Sequence, residues 1–318
     1  MYGKLVESGS LLQSTDNLIG NASFLQSTYN IESELGSGGS GEVYLAWHKR
    51  LCKYVVIKKT ACYSGISAQL HRNETEALKN IKCEYLPQVL DFMMENDSSY
   101  TVLEYIEGES FDKLLRKMNR VSLPQISKWF LQLASALVAI HKHDVCHRDI
   151  KPANIILTRE GDVCLIDFNS ALVKGNDTGV ISLSRAYASP EQYAFFQSCR
   201  TAEKRKSTFF AGGDVCHYAS KKNKTVIVAE SNILYRATAH NVDWKLSDIY
   251  SLGATMYHLF SGRTLLEVFR KNTVIPMYGG GSEGVWSVIK RCMNVDPAGR
   301  FQSATELADC LQVFNDLF

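Results

Sequence analysis

The sequence lacks a long apolar run: no stretch of its 318 residues approaches the roughly 18 that a membrane-spanning helix requires. Near the N-terminus, Lys4 is not followed by an apolar segment, so the pattern of a secretory signal is also missing. We therefore expect a cytoplasmic location, no membrane partner, and an input signal that comes from the cytosol.

A strong charge of one sign is absent as well. The sequence has 35 Lys and Arg against 33 Asp and Glu, a net charge of +2, so nothing draws its whole surface to nucleic acid or lipid. Its nine cysteines are odd in number and form no Cys-x-x-Cys pair, which fits reduced thiols better than disulfides or a zinc ribbon. With 45% hydrophobic residues, the chain can bury a large core in one or two domains.

The most informative feature that is present is a dense polar motif. Residues 147–154 read His-Arg-Asp-Ile-Lys-Pro-Ala-Asn, and Asp-Phe-Asn follows at 167–169. Phosphoryl transfer needs a base that orients a hydroxyl, metal ligands that neutralise phosphate charge, and a cation on the transferred group. The motif offers residues for each role: Asp149 as base, Lys151 for the γ-phosphate, and Asn154 with Asp167 for Mg²⁺.

In these eight positions and their spacing, the sequence resembles the eukaryotic-like (Hanks-type) Ser/Thr protein kinases, and in detail their bacterial branch. The resemblance covers about residues 29–317. It implies an α+β, bilobal protein kinase fold that binds ATP with Mg²⁺ or Mn²⁺ between its lobes. A small antiparallel β-sheet lobe with one helix is expected at 29–105, and a larger, mainly helical lobe at 106–317.

Residues 1–28 form an N-terminal extension rich in Ser, Thr, Asn and Gln. One interpretation is a mobile arm. The alternatives are a segment packed on the small lobe and a target for autophosphorylation at its serines. The sequence favours the first without excluding the others.

A glycine-rich turn opens the small lobe. Gly36, Gly38 and Gly41 have GxGxxG spacing, and glycines let backbone N–H groups approach phosphates closely. Rossmann turns and Ser/Gly linkers share that spacing. Here the chain continues through Val43 as a strand rather than a helix, which favours a hairpin. By resemblance, the three glycines and Val43 contact the nucleotide.

A β-branched strand at 55–57 leads into Lys58. The resemblance assigns the α- and β-phosphates to Lys58, with Lys59 as its solvated neighbour. Val56 stands where the family usually has Ala, above the adenine, and is expected to tighten that pocket.

Apolar residues at helical spacing predict a helix over 67–82. By resemblance, Glu74 in this helix is the ion-pair partner of Lys58. Glu76 is the competing candidate, but two residues along a helix turn it to a different face.

The strand at 100–106 is expected to enter the hinge of the adenine site. The resemblance makes Leu103 the gatekeeper residue and gives the segment from Glu104 to Ile106 the backbone groups that bind adenine. Ile156, in a later strand, is expected beneath the adenine ring.

Asn169 replaces the final glycine of the family's Asp-Phe-Gly motif. Because Asn tolerates left-handed backbone angles, the turn is expected to survive, with a stiffer swing between active and inactive forms. Arg148, beside the base, predicts a dock for a phosphorylated activation loop whose candidate acceptors are Thr178, Ser182 and Ser184. Ser184 also stands where relatives place a Thr that contacts the substrate side.

Glu191 lies in a Ser-Pro-Glu segment that resembles the family's Ala-Pro-Glu motif, and its expected partner is Arg300 in a buried ion pair. The central helix of the large lobe is predicted to begin at a Ser247 cap and to end at Gly262. Asp248, in its first turn, is expected to brace the backbone of the catalytic loop.

Residues 194–240 depart from the family, because an insertion of about thirty residues precedes the central helix. The segment has eight Lys or Arg against three Asp or Glu, a net charge of +5. Residues 225–228 and 233–236 are predicted to pair as a hairpin. We interpret the segment as a solvated insertion or as a docking surface for an acidic protein. Nucleic acid and zinc are the less favoured ligands.

The full set of motifs predicts a Ser/Thr protein kinase that phosphorylates protein substrates, itself included. Lys151, two residues after the base, favours Ser/Thr over Tyr acceptors by resemblance. Two alternatives stay open. One is a nucleotide-binding pseudokinase scaffold, favoured by Asn169 and the insertion. The other is a small-molecule phosphotransferase, a class that usually lacks the Ser-Pro-Glu segment and its Arg300 partner.

Overall fold

The structure is a computed structural model, and it describes residues 23–38, 41–61, 74–95, 98–117, 121–174, 183–196, 210–211, 215–220, 224–229, 242–264 and 283–316. The chain divides into two compact units. The first contains Met1–His71 and Gln88–Tyr105, and the second contains Arg72–Pro87 and Ile106–Phe318.

The first unit is built on a five-stranded antiparallel sheet in the order β1-β2-β3-β5-β4. Val55 and Ile57 of β3 and Val102 of β5 are buried on one face, as the β-branched sequence of these strands predicts. The strands are β1 (Tyr29–Gly38), β2 (Gly41–His48), β3 (Lys53–Ala61), β4 (Val89–Glu95) and β5 (Ser98–Glu104).

A short helix, α1 (Ser23–Thr28), packs against this sheet. Leu25 is 1% exposed and lies in the core beside Tyr29 and Tyr44. The Lys49 N–H donates to the carbonyl of Thr28 at 3.0 Å, which ties the helix to the β2–β3 connection. The described end of the N-terminal extension is therefore part of the first unit's core.

The second unit is mainly helical. Its helical segments are α2 (74–78), α3 (Phe111–Lys117), α4 (Leu123–Lys142), α5 (190–196), α6 (Trp244–Ser261), α7 (Glu283–Cys292) and α8 (Ala304–Asn315). The predicted extent of α2 to 82 is wrong, because the helix ends at 78. The Ile81 N–H bonds the Leu78 carbonyl in a tighter turn, and Asn80 there favours turns over helix.

The helix α4 forms the centre of this unit. Eleven of its 20 residues are buried, among them Phe130, Leu137 and Ile140, and it packs against α6 and α8. Among the described residues it is the one helix whose length and composition would suit a membrane span. Its burial within the unit accounts for that apolar composition.

The central helix α6 begins earlier than predicted. Asp243 is its N-cap, and its side chain accepts hydrogen bonds from the N–H groups of Lys245 at 3.0 Å and Leu246 at 3.2 Å. Ser247 is not the cap but a buried residue of the first turn, because the carboxylate of Asp243 satisfies the free N–H groups first. Gly262 ends the helix with a left-handed φ of 68°, as predicted.

Short strands complete the second unit. They are β6 (Gly108–Ser110), β7 (Val145–Cys146), β8 (Ile155–Thr158), β9 (Val163–Leu165), β10 (Leu172–Val173), β11 (Phe210–Ala211), β12 (Val215–Ser220) and β13 (Lys224–Ala229). The sheets are β6-β8-β9, β7 with β10, and β11-β12-β13.

Residues 225–228 pair with residues 216–219 of β12. Residues 233–236, their predicted partner, lie outside the described residues, so that pairing stays a prediction.

Candidate active site

Asp248 of α6 shapes the loop at 147–154. Its two carboxylate oxygens accept the backbone N–H groups of His147 and Arg148, each at 2.8 Å. The ring of His141 adds a third contact at 3.0 Å. Asp248 is fully buried, so these bonds replace the water that a carboxylate would otherwise bind. The predicted bracing of the loop is confirmed.

Arg148 has an unusual backbone conformation, with a left-handed φ of 64° that costs free energy in a residue with a Cβ. Its side chain is 2% exposed, donates from Nε to the Ser170 carbonyl at 2.7 Å, and lies over the Trp244 ring at 5.4 Å. The candidate phosphate acceptors Thr178 and Ser182 lie outside the described residues, so the docking of a phosphate on Arg148 stays a prediction.

The His147 ring links the loop to the segment that follows the strand β9. Its Nδ1 accepts the Asp149 N–H at 3.3 Å, so a neutral ring carries its proton on Nε2 and donates to the Ile166 carbonyl at 3.1 Å. The ring also meets Phe168 edge-on at 4.6 Å. The loop and the Asp-Phe-Asn segment are therefore held together by side chain and backbone.

Three donors converge on the carboxylate of Asp149. Oδ1 accepts the Ser184 hydroxyl at 2.8 Å, and Oδ2 accepts Lys151 Nζ at 2.8 Å and Asn154 Nδ2 at 3.2 Å. Asp149 is 8% exposed. A carboxylate held this way is oriented, mostly shielded from water, and already bonded to a serine-type hydroxyl.

Asn154 and Asp167 supply oxygen ligands of the kind that Mg²⁺ prefers. The Asn154 amide nitrogen also donates to the Asp149 carbonyl at 2.9 Å, which leaves its side-chain oxygen as the atom that would bind a metal. The Ile166 N–H donates to the Asn154 carbonyl at 2.8 Å, so the residue before Asp167 is anchored to the loop. The donor chemistry and this anchoring fit a divalent metal.

The turn that follows Asp167 differs from the prediction. Asp167 itself has the left-handed φ, at 68°, whereas Asn169 is absent from the described residues with positive φ. Asn can therefore replace the family's glycine here because position 169 does not need glycine's conformational freedom. Its Oδ1 is buried without a hydrogen-bond partner among the described residues.

Glu74 and Ile156 lie in the second unit. Glu74 is fully buried, and its Oε1 accepts the Phe168 N–H at 3.1 Å. Ile156 is half-buried in β8, opposite Ser110 of β6. Lys58 belongs to the first unit, so its pairing with Glu74 stays a prediction.

The glycine-rich hairpin joins β1 to β2. Gly36 lies opposite Val43, and Gly38 lies opposite Gly41. Gly41 has a φ of 116°, and a Cβ there would overlap the Lys59 carbonyl oxygen, whereas Gly36 has open space around it. The structural requirement for glycine is therefore strict at Gly41 and absent at Gly36.

Val56 and Lys58 lie on β3, where Lys58 is opposite Val43 and Val56 is opposite Leu103. Lys59 is not a solvated neighbour, because it forms a 2.9 Å ion pair with Glu42 and its side chain is only 19% exposed. The hydrogen bond from Lys59 is the main cause that lowers the pKa of Glu42. Since successive residues of a strand point to opposite faces, Lys58 and Lys59 serve different surfaces.

The hinge residues lie at the junction of the two units in the sequence. Leu103 is buried at 4% exposure, which suits a gatekeeper. The Glu104 N–H donates to the Gln88 carbonyl at 2.9 Å, and the binding of adenine by the backbone of this segment stays a prediction. Ile106, half-buried, begins the second unit.

The predicted Glu191–Arg300 ion pair is confirmed. The two terminal guanidinium nitrogens of Arg300 each donate to a different carboxylate oxygen of Glu191, at 2.6 and 2.8 Å, and Arg300 is 1% exposed. Burial alone would raise the pKa of Glu191, but the hydrogen bonds led by Arg300 outweigh it and hold that pKa below its ordinary value. The pair anchors α5 to the segment before α8.

A polar network that sequence reasoning missed connects α5, α6 and the loop. The Gln192 side chain donates to the Arg148 carbonyl at 3.0 Å and accepts the Ser247 hydroxyl at 3.2 Å. Ser189 and Ser247 bond each other at 2.9 Å. The Gln that follows Ser-Pro-Glu was the available signal, because this polar residue beside the motif had no assigned role.

Comparison with known proteins adds a family and several relatives. The family model described as protein kinase domain matches residues 29–310. A probable serine/threonine-protein kinase of Clostridium acetobutylicum is 24% identical over 300 residues, 90% of this chain and 39% of that protein. Another from Clostridium perfringens is 24% identical over 303 residues, 91% of this chain and 38% of that protein.

The comparison gives a third relative as well. A probable serine/threonine-protein kinase of Saccharomyces cerevisiae is 30% identical over 252 residues, 75% of this chain and 60% of that protein. The chain spans less than half the length of the two clostridial relatives.

Proposed function

The chain belongs to the protein kinase family, and from that premise we propose that the protein transfers the γ-phosphate of ATP to Ser or Thr hydroxyls of protein substrates, its own chain included. The observation that carries this proposal is the Asp149 carboxylate, which is oriented by Lys151 and Asn154 and accepts a serine hydroxyl. An acceptor hydroxyl of a substrate needs the same hydrogen bond.

In the proposed reaction, Asp149 orients the acceptor hydroxyl and takes its proton as the oxygen bonds to the γ-phosphorus. The bond between that phosphorus and the β,γ-bridging oxygen breaks, and ADP leaves. Lys151, 15% exposed at its side chain and 2.8 Å from Asp149, carries the positive charge next to the transferred group. The base and the cation therefore act from one short loop.

The remaining roles follow the family. We assign the phosphates of ATP to Gly36, Gly38, Gly41 and Lys58, and the adenine to the surroundings of Leu103. Asn154 and Asp167 would hold Mg²⁺ or Mn²⁺, which neutralises phosphate charge when it is bound.

The structure bears on the two alternatives. A pseudokinase scaffold does not require the three donors that orient Asp149. Holding these donors in place costs conformational entropy, which a scaffold has no need to lose. A small-molecule phosphotransferase does not require the buried Glu191–Arg300 pair that anchors α5. Both features are explained by a kinase that positions a protein substrate.

The decisive experiment compares the wild-type protein with Asp149→Asn in labelled ATP and Mg²⁺, with phosphosites mapped by mass spectrometry. We expect label on Ser or Thr with the wild type, and a loss of at least about a hundredfold in the variant with nucleotide binding retained. Full activity of the variant would refute Asp149 as the base. ATP binding without any transfer by the wild type would favour the scaffold.

For partners, we propose an acidic protein substrate that docks on the basic segment 194–240, in the cytoplasm. The support is the net charge of +5 in that segment, since such a surface attracts acidic partners. Removal of residues 198–238 should spare activity on a short peptide and weaken use of the protein substrate. Loss of ATP binding after that removal would contradict a docking role.

A further inference from the structure

A closed turn lies next to the proposed base. The N–H groups of Tyr187 and Ala188 both donate to the Ser184 carbonyl, at 2.8 and 2.9 Å. This pattern places Arg185 and Ala186 at the tip of the turn. The tip is therefore fixed by backbone hydrogen bonds rather than left to vary with solvent.

Side chains hold both ends of the turn. At one end, the Ser184 hydroxyl donates to Asp149 at 2.8 Å and accepts from Lys151 at 3.3 Å. At the other end, the Tyr187 hydroxyl bonds His258 Nδ1 at 2.8 Å, and the two rings stack at 6.0 Å between centroids. His258 belongs to the last turn of α6, a helix whose residues are mostly buried. The tip is thus held in place relative to the base.

Arg185 is the exposed residue of this tip. Within the described ranges it takes part in none of the ion pairs. The nearby Lys151 already has the Asp149 carboxylate as its partner at 2.8 Å. Arg185 therefore presents a positive charge to solvent that no described carboxylate neutralises.

The position of this charge relates it to the acceptor. A substrate hydroxyl must reach the same carboxylate that Ser184 contacts, and consecutive Cα atoms are about 3.8 Å apart. Arg185, next to Ser184, therefore lies within reach of the one or two residues that flank the acceptor.

On the basis of the proposed kinase function, we propose that Arg185 is a specificity-determining residue that binds the carboxylate of an Asp or Glu next to the acceptor Ser or Thr. A guanidinium binds a carboxylate through two parallel hydrogen bonds, which require a defined geometry. Because the turn is already ordered, less conformational entropy is lost when the carboxylate binds. The preferred substrates are accordingly acidic close to the phosphorylation site.

The test uses a set of Ser peptides that carry Asp, Asn or Lys at each of the two positions on either side of the acceptor. kcat/KM is measured for the wild-type protein, Arg185→Gln and Arg185→Glu. We expect the wild type to prefer Asp over Asn by about three- to tenfold at one or two positions, as for an exposed but ordered ion pair. Arg185→Gln should lose that preference, and Arg185→Glu should prefer Lys.

Arg50→Glu is the matched control, because Arg50 is also exposed and lies in the first unit. It makes the same change of net charge and should keep the preference for Asp. A preference that survives in Arg185→Gln, or a wild type that uses the Asp, Asn and Lys peptides equally, overturns the inference. A wild type that phosphorylates neither any peptide nor itself overturns the proposed function instead.

Discussion

The glycine-rich hairpin and the loop at 147–154 both carry recognisable motifs, but they are held in different ways. The hairpin joins neighbouring strands, and of its described glycines Gly36 and Gly41 only Gly41 is strictly required, because it approaches β3 closely. The loop is held by partners separated from it by 44 to 101 residues, namely Gln192 and Asp248. A local motif thus depends on its own residues, whereas the loop depends on α5 and α6.

The left-handed conformation of Arg148 shows why the loop needs distant partners. This conformation costs an L-residue about 1–2 kcal/mol. Two hydrogen bonds offset that cost: the Arg148 N–H donates to the Asp248 carboxylate, and the Gln192 side chain donates to the Arg148 carbonyl. We therefore expect a large loss of stability and phosphate transfer when a distant partner of the loop is substituted. Most substitutions in the hairpin should have smaller effects on stability and ATP binding.

The largest effect is expected for Asp248→Ala. It leaves two loop N–H groups and the His141 ring without their acceptor, at a cost of about 3–5 kcal/mol in the free energy of unfolding. Urea unfolding measures this cost, and phosphate transfer should fall with it. Asp309→Ala, an exposed position on α8, should change the unfolding free energy by less than about 0.5 kcal/mol. Equal midpoints for the two variants would contradict the bracing role.

A smaller loss, about 3 kcal/mol, is expected for Glu191→Gln, because Arg300 would be left as a buried charge without its counter-ion. The sign of the pH dependence follows from the lowered pKa of Glu191. The pair's stabilisation is complete above the unfolded pKa of about 4.3 and is lost as the pH falls through the lower folded pKa.

Unfolding curves from pH 7 down to pH 3 check this second prediction. The difference between the wild type and Glu191→Gln should be largest near neutral pH and should shrink as the pH falls below about 4. A constant difference across this range would show that the carboxylate's charge does not contribute.

In the hairpin, Gly41→Ala and Gly36→Ala form a matched pair. The first places a Cβ at a φ of 116° and against the Lys59 carbonyl, which we expect to cost about 2 kcal/mol and to weaken ATP binding several-fold. The second has open space and should cost less than about 1 kcal/mol. Fluorescent-nucleotide titration and thermal unfolding measure both. Similar losses at the two positions would indicate that glycine is required there by the bound nucleotide rather than by the contact with β3.

The smallest effect is expected for Asn169→Gly, which restores the family's usual residue. Because Asn169 does not use a positive φ, the change should lower stability by less than about 1 kcal/mol, through the greater freedom of the unfolded chain. Activity should stay within about twofold. A large gain in phosphate transfer would show that Asn169 restrains the turn after all.

Much of the site could be read from the sequence, because its chemistry lies in short motifs. The candidates Asp149, Lys151 and Asn154 fall within six residues, and the loop brings them together by its own local geometry. The Glu191–Arg300 pair was also predictable, because each residue lies in a segment that resembles a family motif and their charges are opposite. The role of a residue was harder to predict where it depends on residues that are close in space but far apart in the sequence.

Two of the differences from prediction share a physical cause. Ser247 has the side chain of a helix cap, yet Asp243 took that position and left Ser247 to join the network around Gln192. Asn169 has the backbone tolerance of a left-handed residue, yet that conformation belongs to Asp167. In each case propensity alone identified a capable residue, and the packing around it selected another.

The sequence by itself determined the family, the order of the motifs and the identity of the chemical groups, because these depend on residue type and short spacing. The tertiary structure decided which hydrogen bonds hold the loop and where the left-handed residues fall. It also placed Ser184 on the base and Arg185 on an ordered turn beside it. Those outcomes depend on contacts between residues far apart in the chain. The physical reason is that buried polar groups must form hydrogen bonds, and their partners are known only once the chain has folded.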